Sequence, residues 1–132
     1  MRIAIDALLL GTRDSGVEVC IRHLVKALAK VDERNEYVIY VKRGAGALGC
    51  ESNPRFRVVT TDVPSRVRTL RILWEQAVLP KRLKSDGIDV LHAPGYVMPL
   101  QAETPTVVTM HDLITLTHPE LCKAANAAHY RL

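Results

Sequence analysis

Thr106-Val107-Val108-Thr109-Met110-His111-Asp112 is a β-branched, apolar run that stops at a histidine and an aspartate. It reads as a buried β-strand, because branched side chains fit a pleated surface and the run is too short for a helix. In an open parallel α/β sheet, ligands bind beyond the carboxyl ends of the strands. His111 and Asp112 therefore stand where an imidazole and a carboxylate can meet a substrate. The competing reading is a histidine that only hydrogen-bonds its neighbours at a strand end.

The flanking sequence repeats the strand-then-helix unit. Arg2 to Ala7 is an isoleucine-rich first strand, followed by a loop from Leu8 to Asp14 that contains Gly11. Ser15-Gly16-Val17-Glu18 fits a capping box, with serine at the N-cap and glutamate at N3. Val17, Cys20, Ile21, Leu24, Leu28 and Val31 follow at helical spacing, which places Cys20 in the core. Tyr37 to Val41 is a second strand and Phe56 to Thr60 a third; the loop between them, with Gly44, Gly46 and Gly49, shows no helical pattern. Pro64-Ser65 opens a second helix whose apolar stripe is Val67, Leu70, Trp74, Ala77 and Val78. Pro80 kinks or restarts that helix and Gly87 ends it. Asp89 to His92 is a fourth strand, and Pro94, Gly95, Pro99 and Pro105 fill the loop before the fifth, Thr106 to Met110. Lys123 starts a further helix that has no C-cap before Leu132, so the chain is expected to be cut within a helix.

Strands alternating with helices predict an α/β fold, a Rossmann-like parallel sheet with flanking helices and right-handed crossovers. The expected strand order is 3-2-1-4-5, with the first and fourth strands flanking the switch point. Three loops then converge: Gly11 to Gly16, Ala93 to Tyr96, and His111-Asp112.

A chain of 132 residues, 48% hydrophobic and 24% charged, holds one domain with a real core and excludes disorder. No apolar run is long enough to span a bilayer. Asp6 interrupts the N-terminal apolar run and no cleavage site follows, so a cytoplasmic location is expected. Cys20, Cys50 and Cys122 are odd in number and far apart, which indicates neither a disulfide framework nor a zinc site. The histidines lack regular metal spacing, and no metal site is assigned. The net charge of +4 has a local source in Arg66, Arg68, Arg71, Lys81, Arg82 and Lys84. These form either a solvated helix face or a surface that attracts phosphates or anionic lipid, with peripheral contact at the inner face of a membrane. No aromatic residues interleave with them, which argues against nucleic acid.

Among single residues, Gly16 opens the first helix, where it either exposes backbone N–H groups to an anion or merely eases the turn. The loop before it has neither the Gly-x-Gly-x-x-Gly nor the Walker pattern. Asp6 could orient a hydroxyl or bond nearby backbone N–H groups. His111 suits proton transfer or donation to a sugar or phosphate oxygen, and Asp112 suits orienting its ring or binding a hydroxyl. His92 also ends a strand, beside a structural turn at Pro94. His23, His118 and His129 read as surface residues and Trp74 as core.

Several of these stretches, taken in order, resemble the N-terminal half of a GT-B glycosyltransferase of the large retaining family 4 (group 1). They are Met1 to Ala7, Ser15-Gly16-Val17, Trp74-Glu75-Gln76, Leu79-Pro80, Asp89 to Tyr96 and Pro105 to Leu113. The resemblance implies that residues 1–132 are a single acceptor-side domain and that the C-terminal, donor-binding domain is missing. It implies transfer of a sugar, with retention, from a nucleotide-sugar donor to a sugar or lipid-linked acceptor, without metal or cofactor. His111 would lie near the transferred sugar with Asp112 as its supporting neighbour. Ser15 and Gly16 would lie near the donor phosphates or the acceptor, with Gly95 and Tyr96 as further substrate-binding residues. The family's two-glutamate acidic motif belongs to the second half, so this chain alone is not expected to complete a transfer. Where many relatives place a second glycine, this chain has Glu18, which argues against tight phosphate binding by that loop. The alternative is a non-catalytic Rossmann-like module that binds an anionic metabolite or a protein partner.

Overall fold

Five strands form one all-parallel sheet in a computed structural model that describes residues 1–11, 15–63 and 67–121. They are β1 (Arg2–Asp6), β2 (Glu36–Lys42), β3 (Phe56–Thr61), β4 (Val90–Ala93) and β5 (Thr106–Val108). Their order is β3-β2-β1-β4-β5, so the α/β class and the topology are those expected from the strand-helix alternation. Ile5 of β1 stands opposite Ile39 on one side and His92 on the other. The switch point therefore falls between β1 and β4.

Each face of the sheet has its own core. Ile5, Tyr37, Ile39, Val41 and Phe56 face α1 (Gly16–Val31) through Ile21 and Val25. The β2–β3 connection has no helix, and its loop buries Ala45, Leu48 and Cys50 against the same cluster instead. On the other face, Ala4, Val38, Tyr40 and Leu91 pack on Leu79 and Leu83 of α3 (Leu79–Ser85), with Trp74 of α2 (Arg68–Ala77) beside them. Pro80 falls in the first turn of α3, where its missing N–H costs nothing, so the expected second helix is two helices broken at Val78. A short helix α4 (Ile114–Thr117) and a 3-10 turn (Pro119–Leu121) follow β5 and had no sequence signal. Among the described residues no helix is long and apolar enough to cross a membrane.

Four expectations about burial fail. Cys20 is exposed, because the inward face of α1 runs through Glu18, Ile21 and Val25 and leaves Cys20 on the flank. In α2 the inward residues are Arg71 and Glu75, while Val67, Leu70 and Ala77 are exposed. The helix is turned so that a charged pair meets the end of β1. Arg71 thereby leaves the supposed basic surface. The fifth strand is not buried: Val107 is 57% exposed, because β5 is paired on one side only. Pro64-Ser65, Arg66, Cys122, His129 and the helix expected from Lys123 lie outside the described residues.

Gly11 has φ +76°, and a Cβ there would lie 3.0 Å from the Gly44 carbonyl oxygen. Gly11→Ala combines a left-handed backbone with a backbone contact that cannot swing away. It is expected to cost about 1–2 kcal/mol, read as a lower urea midpoint. An unchanged midpoint would show that the loop does not pack on residue 44.

Candidate functional site

Because all strands are parallel, the loops after β1, β4 and β5 leave the sheet at one edge. The β4 and β5 loops are joined there. The Thr109 N–H donates to the Ala93 carbonyl at 3.1 Å and extends the ladder one step beyond β5. His92 Nε2 lies 2.7 Å from Thr109 Oγ1, and burial holds the His92 imidazole below its ordinary pKa. His92 is thus a neutral strap between neighbouring strands rather than a residue of the open rim.

His111 Nε2 lies 2.8 Å from the Pro94 carbonyl oxygen. A carbonyl only accepts, so Nε2 carries a hydrogen and Nδ1 is the ring nitrogen left outside that bond. The Tyr96 ring meets the imidazole edge-on at 5.3 Å, and the Tyr96 hydroxyl donates to Asp112 Oδ2 at 3.2 Å. Asp112 Oδ1 accepts the Ile114 N–H at 3.1 Å and so shapes the turn after the strand. The carboxylate supports Tyr96 and the turn, while the imidazole is oriented by a backbone carbonyl. This departs from the expected direct support of His111 by Asp112. Asp112 was the nearest titratable partner in sequence, whereas Pro94 approaches only across the sheet.

Gly95 lies against the loop after β1. A Cβ at Gly95 would lie 2.4 Å from Leu9 Cδ1, so the β1 and β4 loops touch there. Tyr96, next to it, has φ +68°, a backbone conformation that bulky residues adopt only when their surroundings impose it.

Ser15 and Gly16 begin α1 on the same edge. Ser15 Oγ accepts the Glu18 N–H at 3.4 Å, as expected of the cap. The reciprocal half of the capping box is replaced, because the Glu18 carboxylate reaches back to accept the Gly11 N–H at 2.6 Å and is buried there. Gly16 has a negative φ, and a Cβ would meet nothing within 4 Å among the described residues. Among the described residues, neither strain nor packing accounts for a glycine at 16.

A second polar group sits beneath this rim, built on Asp6, which bonds a nearby backbone N–H as one of its two readings expected, and on two α2 residues that were not read as its partners. Asp6, at the end of β1, accepts the Leu8 N–H at 3.1 Å and faces Glu75 and Arg71 of α2. All three are buried, Glu75 at 1% exposure. Arg71 pairs with Glu75 Oε1, while Glu75 Oε2 meets no hydrogen-bond donor among the described residues. Burial raises the pKa of Asp6, and Arg71 pulls it part of the way back. Burial and the nearby Asp6 charge push Glu75 up to about 8. Both carboxyls are thus pushed toward the protonated form, Glu75 the more strongly. The one available signal was the i,i+4 spacing of Arg71 and Glu75. Among the described residues, no group of three histidine, cysteine or acidic side chains is placed to hold a metal ion.

Comparison with known protein families matches residues 15–131 to Glycosyltransferase Family 4. The chain belongs to that family. No curated protein and no solved structure matches it. The family 4 match begins at Ser15 and takes in the loops after β4 and β5, Arg71 and Glu75 of α2, and His111.

The proton held by Glu75 gives a pH dependence with a definite sign. In the unfolded chain Glu75 ionises near its ordinary 4.5, while in the folded domain it stays protonated to about 8. The folded state binds more protons across that interval, so its stability falls as pH rises from about 4.5 to 8. Glu75→Gln is expected to flatten that slope and to gain on the wild type most at pH 8, read from urea midpoints at pH 5, 6, 7 and 8. An identical slope in the variant would show that Glu75 is ionised in the native state.

Proposed function

We propose that this domain is the acceptor-side half of a retaining glycosyltransferase that moves a sugar from a nucleotide-sugar to a hydroxyl acceptor. The observation that carries the reading is the His111–Pro94 hydrogen bond. It fixes the imidazole at the rim where the β1, β4 and β5 loops meet, with Nδ1 left outside that bond. In this reading His111 Nδ1 contacts a hydroxyl of the transferred sugar and holds the reacting carbon in place. Tyr96 and Asp112 keep the ring's surroundings fixed, and a second domain grips the nucleotide.

The Ser15–Gly16 loop belongs to the acceptor in this reading, not to the donor phosphates. The buried Glu18 carboxylate already takes the Gly11 N–H and faces the positive end of α1. A phosphate brought to the same place would meet that negative charge. Neutral sugar hydroxyls would not, and the first-turn N–H groups at Gly16 and Val17 suit them. The open space above Gly16 supports close approach of such a ligand.

Two variants of the intact protein that carries this domain test the reading. His111→Ala is expected to lower kcat/KM by on the order of a hundredfold in a screen of nucleotide-sugar donors, the scale of losing one preorganised polar contact to the transition state. Full turnover would remove His111 from the chemistry. Gly16→Ala is expected to leave stability unchanged or raise it by up to about 1 kcal/mol, because alanine favours the helix. It is also expected to raise the acceptor KM with the donor KM unmoved. A rise in the donor KM instead would return the loop to the phosphates.

A further inference from the structure

Trp74, Glu75 and Gln76 are consecutive on α2 and turn three ways. Trp74 packs beside Tyr40 and Leu79, and Glu75 turns into Asp6. Gln76 turns to the chain that descends from β4. Its Nε2 donates to the Met98 carbonyl at 2.8 Å, and its Oε1 accepts the Leu100 N–H at 2.9 Å. The amide orientation is forced, because a carbonyl can only accept and an N–H can only donate. One side chain thus does for residues 98 and 100 what a neighbouring strand would do, in a segment without regular structure of its own.

The place of this clamp matters. It begins two residues after Tyr96, whose left-handed backbone needs anchors on both sides. The upstream anchors are Leu9 against Gly95 and His111 on the Pro94 carbonyl, while the side chain is tied through Asp112. Downstream, among the described residues, the nearest hydrogen bonds from another element are those of Gln76. Without them, residues 97–100 can move and Tyr96 can relax to an extended backbone, which turns its ring away from His111 and its hydroxyl away from Asp112.

We propose that Gln76 is a positioning residue for the acceptor: by clamping Met98 and Leu100 it holds Tyr96 in its left-handed conformation against His111 and Asp112. Gln76 itself touches no substrate. This rests on the reading of the rim as the acceptor side.

The test uses the intact protein and three readouts: hydrogen exchange at the Leu100 amide, acceptor KM, and kcat with donor KM. Gln76→Met keeps the length and removes both hydrogen bonds. It is expected to speed Leu100 exchange at least tenfold and to raise the acceptor KM several-fold, with the donor KM within twofold of wild type. Gln76→Glu supplies a check that survives poor folding of the first variant. Its carboxylate repels the Met98 carbonyl at pH 8, but its protonated form both donates and accepts and so rebuilds the clamp. Acceptor KM in Gln76→Glu should therefore fall toward the wild-type value as pH drops from 8 to 4.5, relative to wild type over the same range. A protected Leu100 in Gln76→Met overturns the proposal. So does a mobile Leu100 with an unchanged acceptor KM, or a Gln76→Glu variant without recovery at low pH. The two readings fail separately. If His111→Ala turns over fully while Gln76→Met still raises the acceptor KM, the catalytic assignment falls and the clamp stands; an inactive His111→Ala with an unmoved acceptor KM in Gln76→Met is the reverse.

Discussion

The parallel pairing of β1 with β4 is the constraint on which the rest of the domain depends. The ladder sets Ile3 opposite Val90, Ala4 opposite Leu91 and Ile5 opposite His92. β1 continues through α1 on one face to β2, whereas β4 is reached through α2 and α3 on the other face. The loops that leave β1 and β4 therefore open a crevice at the edge both strands point to. The loops come close enough that a Cβ at residue 95 would push the end of the Leu9 side chain aside. Every polar contact of the rim, from His111 on Pro94 to Tyr96 on Asp112, follows from that shared direction.

Beneath the rim, the domain buries charge where an apolar face would be simpler. Arg71 and Glu75 turn inward from α2 while Leu70 and Leu73, at 43% and 57% exposure, turn out. A buried carboxyl without a partner is costly, and two facing each other more so. Here the Arg71 guanidinium pairs with Glu75, and burial pushes both carboxyls toward the protonated form. The arrangement ties the end of β1 to α2, and the same helix holds the chain after β4 through Gln76. Both loops of the crevice are thus referred to one rigid element.

Much of the fold was legible from residue pattern. The isoleucines of β1, the Tyr37–Val41 run and the branched residues before His111 carry strand propensity, and Ser15 carries the cap. Pro80 marked the break between α2 and α3. The site was legible only as a set of loops. That Pro94 orients His111, that Asp112 serves Tyr96 and that Glu18 reaches back to the Gly11 N–H are contacts between segments far apart in sequence or between a side chain and a turned backbone. The apolar stripe misled at α2, because the pattern of Leu70 and Trp74 says nothing of a carboxylate waiting at Asp6.

By itself, then, the amino-acid order determined the α/β class, the strand order and the edge at which His111 and Gly16 both stand. Strand direction and crossover hand leave few other solutions once the elements are known. Tertiary structure alone decided which face of α2 turns inward, which way burial shifts the Asp6 and Glu75 carboxyls, why Tyr96 accepts a left-handed backbone, and which nitrogen of His111 meets the Pro94 carbonyl. Those outcomes depend on desolvation and on partners brought within about 3 Å by the sheet, and neither quantity is written in local sequence.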